Sequence, residues 1–230
     1  MNNNVKRFEE LMGREWVQTL SPLLSSNYGS DILKIIDYFF VDRQSGSAIY
    51  PSKEKNVFMP LLMTSPTDIH TIIIGESPAY HVASNGVFLG VSSGYSHSFK
   101  DLEKTLQRVY KKPDAELDYT CMSYLQQGVL FLNHNPFHSS FSNTVVGVFD
   151  YLYRNIISVV DYLSPRTVFV AGSSTRTNHV VESYNLPRSI EVVEGSHLTK
   201  IGRDEDILMF NLDKAHEKYG QTKIKWFKTS

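Results

Sequence analysis

The chain has 230 residues, of which 41% are hydrophobic and 20% are charged, and its formal net charge is -1. This length is within the range of one α/β domain, and the near-neutral charge disfavours a large basic surface for nucleic acid, although local basic patches can exist. The single cysteine, Cys121, excludes an internal disulfide framework and a cysteine-cluster metal site. It fits a reducing compartment, so we expect an intracellular protein, in the cytoplasm or the nucleus.

The chain carries no obvious membrane or targeting signal. No stretch approaches the roughly 20 apolar residues of a membrane span. Residues 1–4 lack a basic region followed by an apolar core, so we expect no signal peptide and no membrane association.

Helical periodicity dominates the N-terminal part of the chain. Phe8, Leu11 and Met12 share one helical face, and apolar residues recur at helical spacing over residues 31–40, with Ser30 as the predicted N-cap. The expected segments are a helical region (5–42), a loop (43–56) and a short helical turn (57–63).

Four short apolar runs predict buried β-strands, at residues 71–74, 129–132, 167–171 and 189–193. Helical patterns alternate with them, at residues 99–111 with Ser98 as N-cap, 119–127 followed by Gly128, 149–163 and 204–219. This alternation predicts an α/β fold with a central, mainly parallel four-stranded sheet flanked by helices. We expect one domain over residues 1–230, with residues 1–44 as its helical N-terminal part.

The first strand leads into a polar turn that contains Pro78. Glu76, Ser77, Tyr80 and His81 therefore follow the carboxyl end of a buried strand, where open α/β sheets bind their ligands. An ordinary strand-to-loop turn would have the same composition.

Polar residues follow all four predicted strands, and in a parallel sheet these strand ends share one edge. A single Asn or His in such a place is more often structural, but four ends that converge on one crevice favour a functional site. The residues concerned are Glu76 and Ser77, Asn133, Ser173 and Ser174, and Glu194, Ser196 and His197.

Several motifs occur in an order known from one enzyme family. Residues 75–81, Gly-Glu-Ser-Pro-Ala-Tyr-His, resemble Gly-Gln-Asp-Pro-Tyr-His with one residue inserted, and residues 127–133 are close to Gln-Gly-Val-Leu-Leu-Leu-Asn. Residues 172–173 resemble a Gly-Ser pair after the third strand, and residues 196–199 resemble the end of a His-Pro-Ser-Pro-Leu-Ser loop. The chain thus resembles the uracil-DNA glycosylases, closest to the large family 1 type, over about residues 45–227.

The resemblance implies an enzyme that extracts a base from DNA into a pocket. Asn133 would offer a donor and an acceptor to the edge of uracil. An aromatic ring would stack on the base, and Phe88 is the candidate, with Leu89 as the competing register. Ser77 and Tyr80 would complete the base-binding set.

The resemblance also implies a DNA-binding surface that needs little positive charge. Serine hydroxyls and backbone N–H groups can hold phosphates, which suits Ser98, Ser173, Ser174 and Ser196. Leu198 would be the apolar wedge inserted between bases, and Lys200 and Arg203 would add charge beside it. We expect single- or double-stranded DNA as the partner and a monomer, with no cofactor and no metal; the sequence does not predict a protein partner.

Two positions depart from the family at its catalytic pair. Ser77 stands where the family has its water-orienting carboxylate, but another branch carries Gly-Glu-Ala-Pro-Gly at this loop, which assigns water activation to Glu76. Glu194 occupies the place of the family's catalytic His, and His197 in the same loop is the substitute electrophile. A carboxylate at 194 would repel an anionic leaving base.

Two functions therefore remain open at this point. The first is a glycosylase that hydrolyses the N-glycosidic bond of uracil or a 5-substituted uracil flipped out of DNA. The second is a catalytically impaired glycosylase-fold protein that binds DNA or a protein partner without excising bases. A nucleotide-binding α/β protein unrelated to DNA is a weaker third interpretation, since no phosphate-loop fingerprint is present.

The inserted residue in the motif loop leaves the specificity of the pocket open. Family members exclude thymine with a tyrosine, and that place falls on Ala79 when counted from Pro78 and on Tyr80 when counted from His81. Tyr80 is the preferred assignment, with the insertion absorbed as a bulge.

Overall fold

We describe the fold from a computed structural model. The structure describes residues 3–40, 49–75, 77–78, 83–94, 97–137, 146–164, 168–173, 186, 190–196 and 203–228.

The described strands form one parallel sheet in the order β2-β1-β3-β4. Their bounds are β1 Thr71–Gly75, β2 Val129–Asn133, β3 Val168–Ser173 and β4 Glu191–Ser196. β1 is central: Thr71 pairs with Val129 on one side and with Val168 on the other. Every residue of β1 and β2 is buried, as expected for strands with helices on both faces of the sheet. The α/β class predicted from the sequence is confirmed.

Helices precede, separate and follow these strands. Before β1 lie α1 Asn3–Met12, α2 Arg14–Thr19, α3 Ser21–Leu24, α4 Asn27–Phe40 and α5 Met59–Leu62. After β1 lie α6 His97–Val109, α7 Met122–Leu125, α8 Val146–Leu163 and α9 Arg203–Lys218. None of the helices in the described ranges has the length and hydropathy to cross a bilayer.

The two faces of the sheet bury different helices, because successive side chains of a strand point to opposite faces. Ile72 and Ile74 belong to a core that includes buried residues of α1, α4 and α8. Ile73 belongs to a second core with buried residues of α6, α7 and α9. The carboxyl ends of the strands therefore emerge between two layers of helices.

An ion-pair cluster fixes the N-terminal helices to the segment before β1. The Arg7 guanidinium donates to Asp37 at 3.0 and 2.5 Å and to Glu54 at 3.2 and 2.6 Å. These carboxylates raise the pKa of Arg7 above its ordinary value. The short 3-10 helix Glu54–Asn56 is thereby held against α1 and α4.

Two predicted N-caps are wrong, because both helices begin earlier than the apolar pattern indicates. Ser30 lies inside α4: its N–H donates to the carbonyl of Ser26, and the Ser26 hydroxyl accepts the N–H of Tyr28 near the helix start. Ser98 is the second residue of α6, which begins at His97.

Candidate active site

Gly75 ends β1 and has an aromatic ring directly against its Cα. A Cβ placed on Gly75 would lie 2.0 Å from Cε2 of Phe88, so no larger residue fits beside this ring. Phe88 is 3% exposed. Gly75 is also the register partner of Asn133 at the end of β2. The structure thus brings Phe88 and Asn133, two of the predicted base-binding residues, to the same place on the sheet edge.

The side-chain amide of Asn133 has a hydrogen-bond partner at its nitrogen but none, among the described residues, at its oxygen. Its Nδ2 donates to the carbonyl oxygen of Gly86 at 2.9 Å, and the residue is 4% exposed. Because a carbonyl can only accept, this bond identifies which amide atom is the nitrogen. Oδ1 is buried, and no described residue donates to it. The site therefore holds a buried, oriented acceptor.

The loop that supplies the Gly86 carbonyl is fixed by its own side chains. The Asn85 Oδ1 accepts the N–H of Val87 at 3.1 Å, and its Nδ2 donates to the carbonyl of Thr120 at 2.8 Å. Gly86 has φ +86°, and a Cβ there would lie 1.6 Å from the Asn56 carbonyl oxygen. Only glycine can adopt this conformation beside the Asn56 carbonyl. The turn therefore fixes the position of the Gly86 carbonyl that accepts from Asn133.

Leu89, the competing candidate for the stacking residue, has φ +63°, a left-handed conformation that costs energy for a branched apolar residue. The tight turn from Val87 to Gly90, closed by a 2.9 Å backbone bond, holds it there. Leu89 is also buried, at 4% exposed, but the ring of Phe88 is the group that lies against Gly75.

The serine candidates that belong to described strands lie at the carboxyl edge of the sheet. Ser173 ends β3 and pairs in register with Ser196, which ends β4. Ser98 lies in the first turn of α6, and Ser77 is half-buried just after β1. Glu194 lies in β4 and pairs with Ala171 of β3. Glu76, Tyr80, Ser174, His197, Leu198 and Lys200 lie outside the described residues, as does Ala79.

Sequence reasoning missed a histidine–aspartate pair beside this edge. His134 follows Asn133, its N–H donates to the Gly75 carbonyl at 2.7 Å, and its Nδ1 lies 3.2 Å from Oδ1 of Asp150 in α8. The strand alternation of β2 turns His134 towards α8 and Asn133 towards the Gly86 loop. That alternation was the signal available in the sequence.

Within the described part of the chain, no group of three or more His, Cys, Asp or Glu side chains could hold a metal ion. The chemistry that the described site offers is a buried amide acceptor beside an aromatic ring.

The arrangement has the fold of the uracil-DNA glycosylases. Mimivirus uracil-DNA glycosylase superposes with a TM-score of 0.78 at 14% sequence identity, over 97% of this chain and 89% of that chain. A variant of mimivirus UNG in complex with UGI gives 0.77 at 14% identity, over 97% and 90% of the two chains. Wild-type UNG from Nitratifractor salsuginis gives 0.64 at 16% identity, over 96% and 97%.

Comparison by sequence gives no such match. No protein-family model matches the chain, and no curated protein matches it. At 14–16% sequence identity, the structural likeness establishes the fold alone.

Proposed function

We propose that the protein is a DNA glycosylase that hydrolyses the N-glycosidic bond of uracil, or of a 5-substituted uracil, flipped out of DNA. The observation that carries this proposal is the open Oδ1 of Asn133, buried beside Phe88 at the carboxyl edge of a sheet with the uracil-DNA glycosylase fold.

A buried acceptor without a donor costs about 1–3 kcal/mol, so a ligand that supplies the donor recovers that energy. The N3–H of uracil is such a donor. Cytosine presents a lone pair at N3, which would face the Asn133 oxygen and be repelled. The second hydrogen of Nδ2 is directed away from Gly86 and suits the O4 carbonyl of uracil.

The remaining roles follow the sequence-based assignments. Glu76 orients and activates the attacking water, and His197 stabilises the negative charge that develops on the departing base. Ser98, Ser173, Ser174 and Ser196 hold DNA phosphates, while Leu198 fills the gap left by the flipped base with Lys200 beside it. Ser77 and Tyr80 line the pocket.

A single-turnover assay on single- and double-stranded oligonucleotides that contain one uracil tests the proposal. We expect excision by the wild type, loss of most of the rate in Glu76→Gln with DNA affinity kept, and a faster rate in the charge-matched variant Glu194→Gln, because a carboxylate at 194 would repel the anionic leaving base. Retained activity in Glu76→Gln would show that a residue other than Glu76 activates the water. No excision of any deaminated or modified base by the wild type would reject the proposal.

The second candidate is a glycosylase-fold protein that binds DNA or a protein partner without excision. Ser77 and Glu194 favour it, because they stand where the family carries its acid and its electrophile. The same assay separates the two candidates: salt-sensitive DNA binding without product formation would support the second.

Specificity within the proposed reaction depends on the loop after Pro78. We assign the methyl-excluding wall to Tyr80, which predicts strong preference for uracil over 5-hydroxymethyluracil and thymine. With Ala79 in that place, the pocket would discriminate a methyl-sized group by only about 1–3 kcal/mol. Cleavage of otherwise identical oligonucleotides with these three bases decides between the two registers.

The proposal treats residues 1–230 as one domain that acts as a monomer on DNA, in the cytoplasm or the nucleus. We expect a single cooperative unfolding transition and a monomeric mass in solution, measured by calorimetry and by light scattering. Two separate transitions would contradict the single domain.

A further inference from the structure

A groove of about 530 Å³ lies behind the loop that fixes Asn133. One wall is the segment around the 3-10 helix before β1, with Lys53, Lys55 and Asn56. The other wall is formed by Ser84, Asn85 and Ser92. The groove therefore adjoins the Gly86 turn, which packs against Asn56 and follows Asn85 in the chain.

The charged side chains that line this groove are all positive, although the net charge of the chain is only -1. Its lining includes two exposed lysines and no carboxylate. Neither Lys53 nor Lys55 has an ion-pair partner among the described residues. The acidic residue between them, Glu54, is turned towards Arg7 and bound to it at 2.6 Å. The positive charge of the groove is thus uncompensated in the described structure.

The wall of the groove also holds an unused hydrogen-bonding group. Ser84 is 3% exposed, and its hydroxyl has no partner among the described residues. A serine hydroxyl rotates about one torsion and can donate to an oxyanion in the groove. Two cations and a free hydroxyl are the group types that bind phosphate oxygens.

The chain connects this groove to the predicted base-binding loop and to the predicted phosphate contact at Ser98. Ser84 and Val91 form an antiparallel bridge, and the Ser92 hydroxyl donates to the Ala83 carbonyl at 3.0 Å. Ala83 follows the motif loop at residues 76–82, and Ser92 lies six positions before Ser98. DNA bound along those segments would carry a neighbouring phosphate towards the groove.

We propose that this groove is a phosphate subsite for the nucleic-acid strand that flanks the flipped base, with Lys53, Lys55 and Ser84 as its ligands. The inference rests on the proposed action on DNA. Because the groove adjoins the turn that holds the Gly86 carbonyl, phosphate binding there would also support the orientation of Asn133.

Affinity for a short labelled oligonucleotide, measured across a salt series, tests the proposal. In the double variant Lys53→Gln and Lys55→Gln, we expect the salt slope to fall by about 1–2 and low-salt affinity to fall roughly tenfold. The matched control, Lys112→Gln with Lys225→Gln, removes the same charge from exposed lysines of a different surface groove and should change both quantities much less. An equal loss in both double variants would overturn the proposal.

Ser84→Ala provides an uncharged test. It removes a buried hydroxyl without a described partner, so the fold should be unharmed while DNA affinity falls about threefold to tenfold, the effect of one lost hydrogen bond. Unchanged affinity in this variant would remove Ser84 from the subsite.

Amide NMR titrations separate this subsite from the proposed excision reaction and identify the source of the phosphate. Shifts at residues 52–56 and 83–85 with an oligonucleotide that lacks uracil would support the subsite even if the protein excised no base. A response to inorganic phosphate alone, with none to the oligonucleotide, would overturn the assignment to nucleic acid.

Discussion

The two ends of β1 both carry buried polar groups, but they use them differently. At the carboxyl end, Gly75 is paired with Asn133, whose amide has a donor engaged and an acceptor open. At the amino end, Thr71 links two histidines, His70 and His216, in a chain of hydrogen bonds. The first group keeps an unpartnered acceptor, which the proposed function assigns to the base, and the second joins β1 to α9.

The hydrogen-bond directions at the amino end follow from a single carbonyl. His70 Nε2 lies 2.6 Å from the Gln127 carbonyl oxygen, which can only accept, so Nε2 carries the hydrogen. In the neutral ring, Nδ1 then accepts the Thr71 hydroxyl at 2.8 Å, and that hydroxyl accepts Nε2–H of His216 at 2.8 Å. His216 is left with a buried Nδ1 lone pair that no described group contacts.

The contrast shows that an unpartnered buried atom is not by itself a sign of a binding site. The Nδ1 of His216 is open because Nε2 is the ring nitrogen bonded to Thr71, and no described group donates to the other nitrogen. The Oδ1 of Asn133 is unpartnered among the described residues at the carboxyl end of a strand, on the same edge of the sheet as the ring of Phe88. Position on the sheet distinguishes the two, and substitutions at each end should separate function from stability.

The largest effect is expected for Asn133→Ala. Loss of the amide should reduce uracil excision by about a hundredfold to a thousandfold, because the only described hydrogen-bonding group at the base edge disappears. Unfolding free energy should change by less than about 1 kcal/mol, since the lost bond to Gly86 is offset by removal of an unpaired acceptor. Single-turnover rates and urea unfolding measure the two quantities.

Asn135→Ala is the matched control for this variant. Its Oδ1 accepts the Phe137 N–H at 3.1 Å and takes no part in the site. Excision at the wild-type rate is expected there. Similar losses in both variants would show that the segment after β2, and not the Asn133 amide, is what matters.

The next largest effect is a pH dependence of the unfolding free energy, caused by the two histidines at the amino end of β1. Burial lowers the pKa of His216 from its ordinary 6.5 to about 4, with the charges of His70 and Lys223 adding to the effect, and burial also lowers the pKa of His70. The unfolded chain therefore binds protons more readily than the folded one. The contribution of the two neutral histidines to stability is complete above about pH 6.5, and it should fall by up to about 3 kcal/mol as the pH falls towards 4.

Urea unfolding at a series of pH values measures this loss. His216→Gln, whose amide can still donate to Thr71, should flatten the curve between pH 6.5 and 4. Asp118 and Glu191 have pKa values lowered by Thr120 and Ser123 and by Lys218, respectively, so their contributions are lost only at lower pH. A curve that is unchanged in His216→Gln would place the titrating group elsewhere.

A smaller loss is expected for Thr71→Val, which removes the hydroxyl that connects the two histidines. The buried Nδ1 of His70 and Nε2 of His216 would both lose a partner, at a cost of about 2 kcal/mol in unfolding free energy. Excision should be unaffected, because the change lies at the opposite end of β1 from Asn133. A loss of activity without a loss of stability would contradict the division between the two ends.

The sequence predicted the central strands well, because their burial on both faces leaves an uninterrupted apolar run. The predicted strand 71–74 matches β1 except that it omits Gly75. The predicted strand 129–132 matches β2 except that it omits Asn133. The prediction of 189–193 starts and ends too early for β4, Glu191–Ser196. Glu191 extends to Lys218 at 2.6 Å at the sheet edge, so the apolar pattern does not mark the bounds of this strand.

The candidate site could be predicted only in part, for a related reason. Asn133 was found because it follows an apolar strand, but the role of Gly86 depends on backbone geometry and a contact across the fold. Ser84 lies 29 positions after Lys55 and 31 positions after Lys53 in the sequence. Their proximity depends on the packing of the Gly86 turn against Asn56, which has no local sequence signal.

The smallest effect is expected at Thr105. This residue tests how an unpaired buried hydroxyl affects stability in a helix, away from the ends of the strands. Thr105 is fully buried in α6, and its hydroxyl has no partner among the described residues. Valine has nearly the same shape, so Thr105→Val should leave excision unchanged and stabilise the fold by up to about 1 kcal/mol, because an unpaired buried hydroxyl is removed. Urea unfolding of Thr105→Val and Thr71→Val provides the comparison. Both variants replace a buried hydroxyl by a methyl group, but the Thr71 hydroxyl has hydrogen-bond partners and the Thr105 hydroxyl has none among the described residues. Destabilisation of both by similar amounts would mean that the Thr105 hydroxyl has a hydrogen-bond partner such as a buried water.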